Sequence, residues 1–284
     1  MTRALCVIAQ ASTVAMRLAP GRGGRRLFLS YADQVPLAAE FDPLSFWMAD
    51  AYAARLQLAG LAPRLAAPTW DWLSGIEADL VGRGVVSTTL DRVPAGRMFL
   101  KPASLKLLGV PAGVQETEDF RRAAAAEGAD PRMQVQYSRR ILDLDHEHRF
   151  VVREGQVLTG SAYRVGGRAW SPSLRSDRSV EADRFAREAV RALGEECPPV
   201  CALDVAWDRT DRRWLIVEAN PLWASGPYSC DPVPFVDAVE HANTAGVGRW
   251  AWRAEATQLA RARRHEPMVA VGVENATGYA EYAA

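Results

Sequence analysis

Ala202-Leu203-Asp204-Val205-Ala206-Trp207 and Trp214-Leu215-Ile216-Val217-Glu218-Ala219-Asn220-Pro221 are two apolar runs joined by the hydrophilic stretch Asp208-Arg209-Thr210-Asp211-Arg212-Arg213. The pattern predicts two short buried strands and a hairpin turn. Side chains alternate along a strand, so Glu218 and Asn220 project from one face. Folding the hairpin about its loop sets Asp204 opposite Val217 or Glu218, with opposed Cβ atoms about 4.5–5.5 Å apart. Three oxygen ligands then converge at the end of an apolar ribbon. Two buried carboxylates this close repel and lose hydration, a cost that a hard, oxygen-seeking cation, Mg²⁺ above all, offsets. Carboxylates that cap backbone groups at a sheet end would leave the same spacing, and spacing by itself does not separate the two readings.

Of 34 Lys and Arg residues only Lys101 and Lys106 are lysines. Both lie in Met98-Phe99-Leu100-Lys101-Pro102-Ala103-Ser104-Leu105-Lys106-Leu107-Leu108-Gly109. An ammonium is a compact point charge that a guanidinium does not replace freely, and a lysine ending an apolar strand suits nucleotide phosphates. Lys101, at the strand end beside Pro102, fits that role better than Lys106; chance clustering of two surface lysines is the alternative. In Ile141–Val152 the alternation puts Leu142, Leu144, His146, His148, Phe150 and Val152 on one face. Asp143, Asp145, Glu147 and Arg149 fall on the other. That second face is either a solvated surface with an Arg–Glu pair or a site wall. In a site wall Arg149 meets phosphate, and Glu147 orients it or binds ribose. His146 and His148 read as packed histidines.

Together these segments resemble the ATP-grasp superfamily, in particular its small bacterial and phage-type domains. The resemblance rests on Lys101-Pro102, Glu147-x-Arg149-Phe150-Val151-Val152, Gly160-Ser161-x-Tyr163, Leu203-Asp204-Val205 and Val217-Glu218-Ala219-Asn220-Pro221, followed by Trp223-Ala224-Ser225-Gly226-x-Tyr228. It spans roughly residues 70–240. It implies an α+β fold in which antiparallel sheets clamp ATP. It also implies an ADP-forming carboxylate–amine ligase working through an acyl phosphate. Asp204, Glu218 and Asn220 would hold Mg²⁺, and Lys101, with Lys106, the α- and β-phosphates. Arg149 would stabilise the transferring group, with Glu147 beside it. The strand and bend Gln136-Tyr137-Ser138 would line adenine, largely through backbone groups. Phosphoryl transfer to another acceptor, or a non-catalytic ATP-binding module, are the alternatives, although the full metal-ligand set argues against a relic.

The chain's 284 residues suit one large domain or two modest ones. We expect an N-terminal α/β unit over 1–70, an ATP-grasp domain over 71–244, and a C-terminal helix and tail over 245–284. The 49% hydrophobic and 24% charged fractions are those of a globular protein, and zero formal charge gives no broad pull toward nucleic acid or anionic membrane. Cys6, Cys197, Cys201 and Cys230 lack zinc spacing and read as buried free thiols in a reducing cytoplasm. Ala4–Met16 could pass for a weak signal peptide, but a buried first strand fits better.

Arg3–Ala9 and Leu27–Tyr31 are expected strands, and the basic glycine stretch Pro20–Arg26 a solvated turn. A helix is expected from Asp42-Pro43 to Ala59, with Gly60 as its stop. Leu61–Pro68 reads as a connector, Glu116–Glu127 as a helix, and Gln134–Ser138 as a strand. Ser179 is expected to cap a helix running to Leu193, and Arg249–Arg264 to form a terminal helix packed by Trp250 and Trp252. Val273–Ala284 is expected to fray. The substrates are a small-molecule or peptide carboxylate and an amine, in a pocket built by the N-terminal unit and the Trp223–Tyr228 loop. Neither their identity nor the oligomeric state is legible.

Overall fold

A computed structural model describes residues 2–8, 13–30, 34–37, 41–103, 109–272 and 279–281. The candidate Lys106 lies outside them, as does most of the Val273–Ala284 tail. β1 (Thr2–Ile8), α1 (Thr13–Leu18), β2 (Arg26–Ser30), β3 (Gln34–Leu37), β4 (Phe41–Met48) and α2 (Asp50–Leu58) begin the chain. β1 pairs in parallel with both β2 and β4, and is buried from Ala4 to Ile8. The stretch with weak signal-peptide character is thus the interior strand of a sheet.

The helix expected from Asp42 is corrected here. Residues 41–48 form a strand, and the helix starts at Asp50. Strand pairing overrides the Asp-Pro start signal, because β1 needs a partner on this edge and Phe46 and Met48 bury themselves there.

α3 (Ala78–Val81), β5 (Val86–Thr89), β6 (Arg97–Pro102), β7 (Gly113–Glu116), α4 (Thr117–Ala126) and β8 (Gln134–Ser138) follow. The four strands form an antiparallel sheet in the order β5-β8-β6-β7. Its own core contains Met98, Leu100, Phe120, Ala124 and Val135.

A second sheet has the order β11-β10-β9-β12-β13. Its strands are β9 (Leu144–Arg153), β10 (Gln156–Val165), β11 (Arg168–Ala169), β12 (Val200–Asp208) and β13 (Arg213–Asn220), with α5 (Ser179–Leu193) inserted before β12. Burial on both faces explains the unbroken apolar run of β12. Cys201, Leu203 and Val205 pack with Ala182, Ala186, Ala189 and Leu193 of α5, whereas Val200 and Ala202 join the core of β1, β2 and β4. Ser179 is the first residue of α5 and not its cap; Arg178 precedes it without a side-chain cap bond, and the Ser179 hydroxyl donates to the Ser176 carbonyl at 3.0 Å.

α6 (Pro232–Ala242) has the start the other helices lack: Pro232 in the first turn and the Asp231 carboxylate accepting from Val233 N at 3.0 Å. The helix expected over Arg249–Arg264 shrinks to α7 (Ala256–Ala262). Its first part runs extended because Trp252 N donates to the Leu65 carbonyl, Ala251 bridges to Ala66, and the Trp252 ring meets Trp223 edge-on at 5.2 Å. β14 (Val269–Gly272) pairs with β3. The described part of the tail does not fray: β15 (Tyr279–Glu281) adds antiparallel to β2.

Candidate active site

Three strands of the second sheet carry one row of charged residues. Arg149 on β9 is the register partner of Asp204 on β12, and Asp204 is the partner of Glu218 on β13. The hairpin therefore closes as its spacing predicts, with one refinement. Asp204 pairs with Glu218 but Val205 pairs with Ile216, so Val217 is an extra residue, a bulge that leaves its backbone outside the ladder.

Arg149 grips Asp204 at two points, Nε to Oδ1 at 2.8 Å and Nη2 to Oδ2 at 2.7 Å. Both side chains are buried. The solvated-face reading of Arg149 fails for this reason: it turns into the molecule and pairs with none of its own strand's acids. Asp143 pairs instead with Arg209, and Asp145 accepts from Gly166 N and His146 N. The expected alternation breaks at His146, which has a left-handed φ of 45°. His148 is a packed histidine, stacked on Phe150 and edge-on to Trp214, and burial lowers its pKa. His146 is not packed in a core; its Nδ1 lies 2.9 Å from Ser176 Oγ.

Asn220 Nδ2 donates to Asp204 Oδ2 at 3.1 Å and to Glu218 Oε1 at 2.8 Å, drawing the three predicted ligands to one point. Lys101 closes the site from the facing sheet, its Nζ 2.6 Å from Glu218 Oε2. It can do so because Leu100 and Val135 fill the core of their sheet while Lys101 and Gln136, register partners, point the other way. Glu147 accepts from the Tyr163 hydroxyl at 2.8 Å and from Arg164 Nη1 at 3.0 Å. The rings of Tyr163 and Tyr228 stack at 5.1 Å beside Arg149, whose guanidinium is 5.0 Å from the Tyr228 centroid.

The two carboxylates titrate in opposite directions. Complete burial pushes the Asp204 carboxyl up to about 6, against the pull of Arg149 and helped by the charges of Glu218 and Glu147. Burial also works against the Glu218 charge, but Lys101, the Asn220 hydrogen bond and Arg149 outweigh it and hold Glu218 well below the usual carboxylate range. Burial opposes the Arg149 charge too, yet Asp204 holds its pKa above the ordinary arginine value.

Two carboxylates and an amide offer a hard cation only oxygens, the kind of set that Mg²⁺ shares with phosphates and water. Among the described residues no group of three or more His, Cys, Asp or Glu side chains is arranged for a metal. Gln136 and Ser138 spend their side chains structurally, on the carbonyls of Trp70 and Arg140 respectively, and Tyr137 packs against the core behind them. What they offer the cleft is backbone.

The Trp223–Tyr228 loop divides. Trp223 is fully buried and donates to the Ala66 carbonyl at 2.8 Å, an anchor and not a lining residue. Tyr228, at a left-handed φ of 47°, reaches the site. Sequence reasoning misses Arg83 and Arg164; the only local signal for Arg83 is its place between Gly82 and Gly84. All four cysteines are free and buried. No helix among the described residues is long and apolar enough to cross a membrane.

A family model for the ATP-grasp domain, the second family of its clade, matches residues 80–238, inside the span that the sequence motifs mark out. No curated protein sequence matches significantly. Among solved structures, D-cycloserine synthetase DcsG is similar at 12% identity and a TM-score of 0.53, covering 85% of this chain and 100% of that one. D-alanine–D-alanine ligase from Bacillus anthracis, complexed with ATP, is similar at 12% identity and a TM-score of 0.48, covering 85% of this chain and 96% of that one. The likeness to the first shows a shared fold.

Proposed function

The chain belongs to the ATP-grasp family, and we propose that it is an ATP-dependent carboxylate–amine ligase. The observation that carries this reading is the meeting of Lys101, from one sheet, with the Arg149–Asp204–Glu218 row of the other. A cleft walled by cations and carboxylates from two sheets suits phosphoryl transfer, which needs positioning and charge neutralisation more than covalent help. The solved ligase that shares the fold points the same way.

In this reading Asp204, Glu218 and Asn220 hold Mg²⁺, and the ion, when bound, neutralises charge on the β- and γ-phosphate oxygens. Lys101 leaves Glu218 and takes a phosphate oxygen. A substrate carboxylate oxygen attacks the γ-phosphorus, the bond to the β,γ-bridging oxygen breaks, and ADP leaves. Arg149 steadies the transferring group, then the oxyanion that forms when the amine nitrogen attacks the acyl carbon. The amine loses a proton, inorganic phosphate departs, and an amide remains. Glu147, tied to Tyr163 and Arg164, supports the wall beside Arg149. The backbone of Gln136–Ser138 lines adenine.

The test is ADP and phosphate release across panels of carboxylates and amines, with ¹⁸O in the carboxylate. One ¹⁸O should appear in phosphate, and release should require both substrates. Phosphorylated product without amide would assign a phosphotransferase. ATP binding without turnover on any panel would leave a binding module.

A further inference from the structure

Arg83 follows Gly82, the left-handed residue that ends α3. A Cβ at Gly82 would overlap the Leu215 methyl groups, so the glycine lets the chain press against β13 and turns the next side chain between the two sheets. There the Arg83 guanidinium lies 5.9 Å from the Phe99 ring of β6, and its Nη2 approaches the Val217 carbonyl at 3.4 Å. That carbonyl belongs to the bulged residue.

The residue is 8% exposed, and Nη1 is buried without an acceptor among the described residues. No carboxylate lies within ion-pair range of it there. Glu218, the nearest acid by its effect on Arg83, is already engaged by Lys101 and Asn220. Burial lowers the arginine's pKa, and Glu218 only partly restores it. A buried, unpaired charged donor is costly, and removing it in favour of apolar bulk commonly stabilises a fold. A ligand that brings an anionic oxygen would reverse the cost.

Phe99 and Lys101 share a face of β6 and sit about 7 Å apart along the strand. Phe99 is the register partner of Ser138, on the strand that we assign to adenine. Arg83 thus faces the same cleft as Lys101, displaced toward the base. We propose that Arg83 is a nucleotide-binding residue whose open Nη1 takes an oxygen of the α-phosphate, leaving the outer phosphates to Lys101. This rests on the ATP-dependent reading above and adds a contact that neither the family match nor the sequence motifs point to.

The experiment is calorimetric titration of wild type, Arg83→Met, Arg83→Lys and Lys101→Ala with adenosine, AMP and ADP, together with melting temperatures of the ligand-free proteins. Arg83→Met should weaken AMP and ADP alike, at least tenfold, and adenosine less than twofold. Arg83→Lys should recover part of the loss. Lys101→Ala should weaken ADP more than AMP. Ligand-free Arg83→Met should melt at or above the wild-type temperature, since it loses an unpaired charge. Unchanged AMP and ADP affinity would overturn the assignment, as would an equal loss for adenosine. A lowered melting temperature would make Arg83 a structural residue. Wild type that binds no ADP would sink the nucleotide reading itself, an outcome distinct from any failure of Arg83.

Discussion

Arg149 holds Asp204 through two parallel hydrogen bonds, a planar contact that an ammonium cannot copy. Arg149→Lys should therefore lose at least about tenfold in turnover, roughly 1.4 kcal/mol of transition-state stabilisation, with ADP affinity changed much less. Steady-state kinetics beside calorimetry decide it; wild-type turnover would return Arg149 to a structural role. Asp204→Asn and Glu218→Gln should abolish turnover and weaken Mg²⁺-dependent ADP binding severalfold or more, with the fold retained by circular dichroism. Near-normal turnover of either at limiting Mg²⁺ would remove that carboxylate from the metal set. The acid–base behaviour of Asp204 adds a measurable sign. Its folded pKa, about 6, lies above the ordinary aspartate value, so the folded protein holds the proton more tightly, and this group's contribution to stability falls as pH rises from about 4 to about 6. A cation at the site would drive that proton off. Binding of Mg·ADP should release protons near pH 6 and almost none at pH 8, read from calorimetry in buffers of different ionisation heat. Asp204, Glu218, Asn220 and Lys101 were legible in the sequence because period-two alternation fixes which side chains share a face. Arg83 was not, because its importance lies in what it fails to meet, and a partner's absence has no sequence pattern.

Elements were legible where local signals and tertiary needs agreed. β8 and the hairpin of β12 and β13 follow from alternation and turn chemistry alone. Residues 41–48 did not, because a good helix start was overruled by an unpaired edge of β1, and the segment before α7 did not, because backbone bonds to Leu65 and Ala66 hold it extended. Gly160 shows a close approach that no propensity encodes. A Cβ there would run into the Phe150 ring across the β9–β10 pair. Gly160→Ala should cost about 1–3 kcal/mol, as overpacking does, measured by urea denaturation. The cysteines report on the same strands. Burial pushes Cys197 and Cys230 up to about 11, and raises Cys6 and Cys201 as well. Thiolate is the reactive form, so native protein at pH 8 should be nearly inert to a thiol reagent while unfolded protein titrates all four.

At the scale of the whole molecule, two sheets distant in sequence share one core. Ala4–Ile8 and Leu27–Leu29 pack with Val151, Val200, Ala202 and the buried face of α6. The sheet of β5–β8 has a separate, smaller core. Hydrogen exchange should therefore protect β1 and β12 as one unit and open β6 and β8 more readily, with ADP slowing exchange mainly in the second group. Equal protection throughout would mean that the small sheet is no independent unit.

The Lys101–Glu218 contact also bears on the order of loading. While Lys101 neutralises Glu218 and Arg149 neutralises Asp204, a bare divalent ion must compete with two resident cations. A nucleotide arriving with the ion removes that competition, since its phosphates give both cations new partners. Metal and nucleotide should then be thermodynamically coupled, each tightening the other by the same factor, of the order of 5–150-fold for typical couplings. The nucleotide-free protein would thereby be insulated from cellular Mg²⁺.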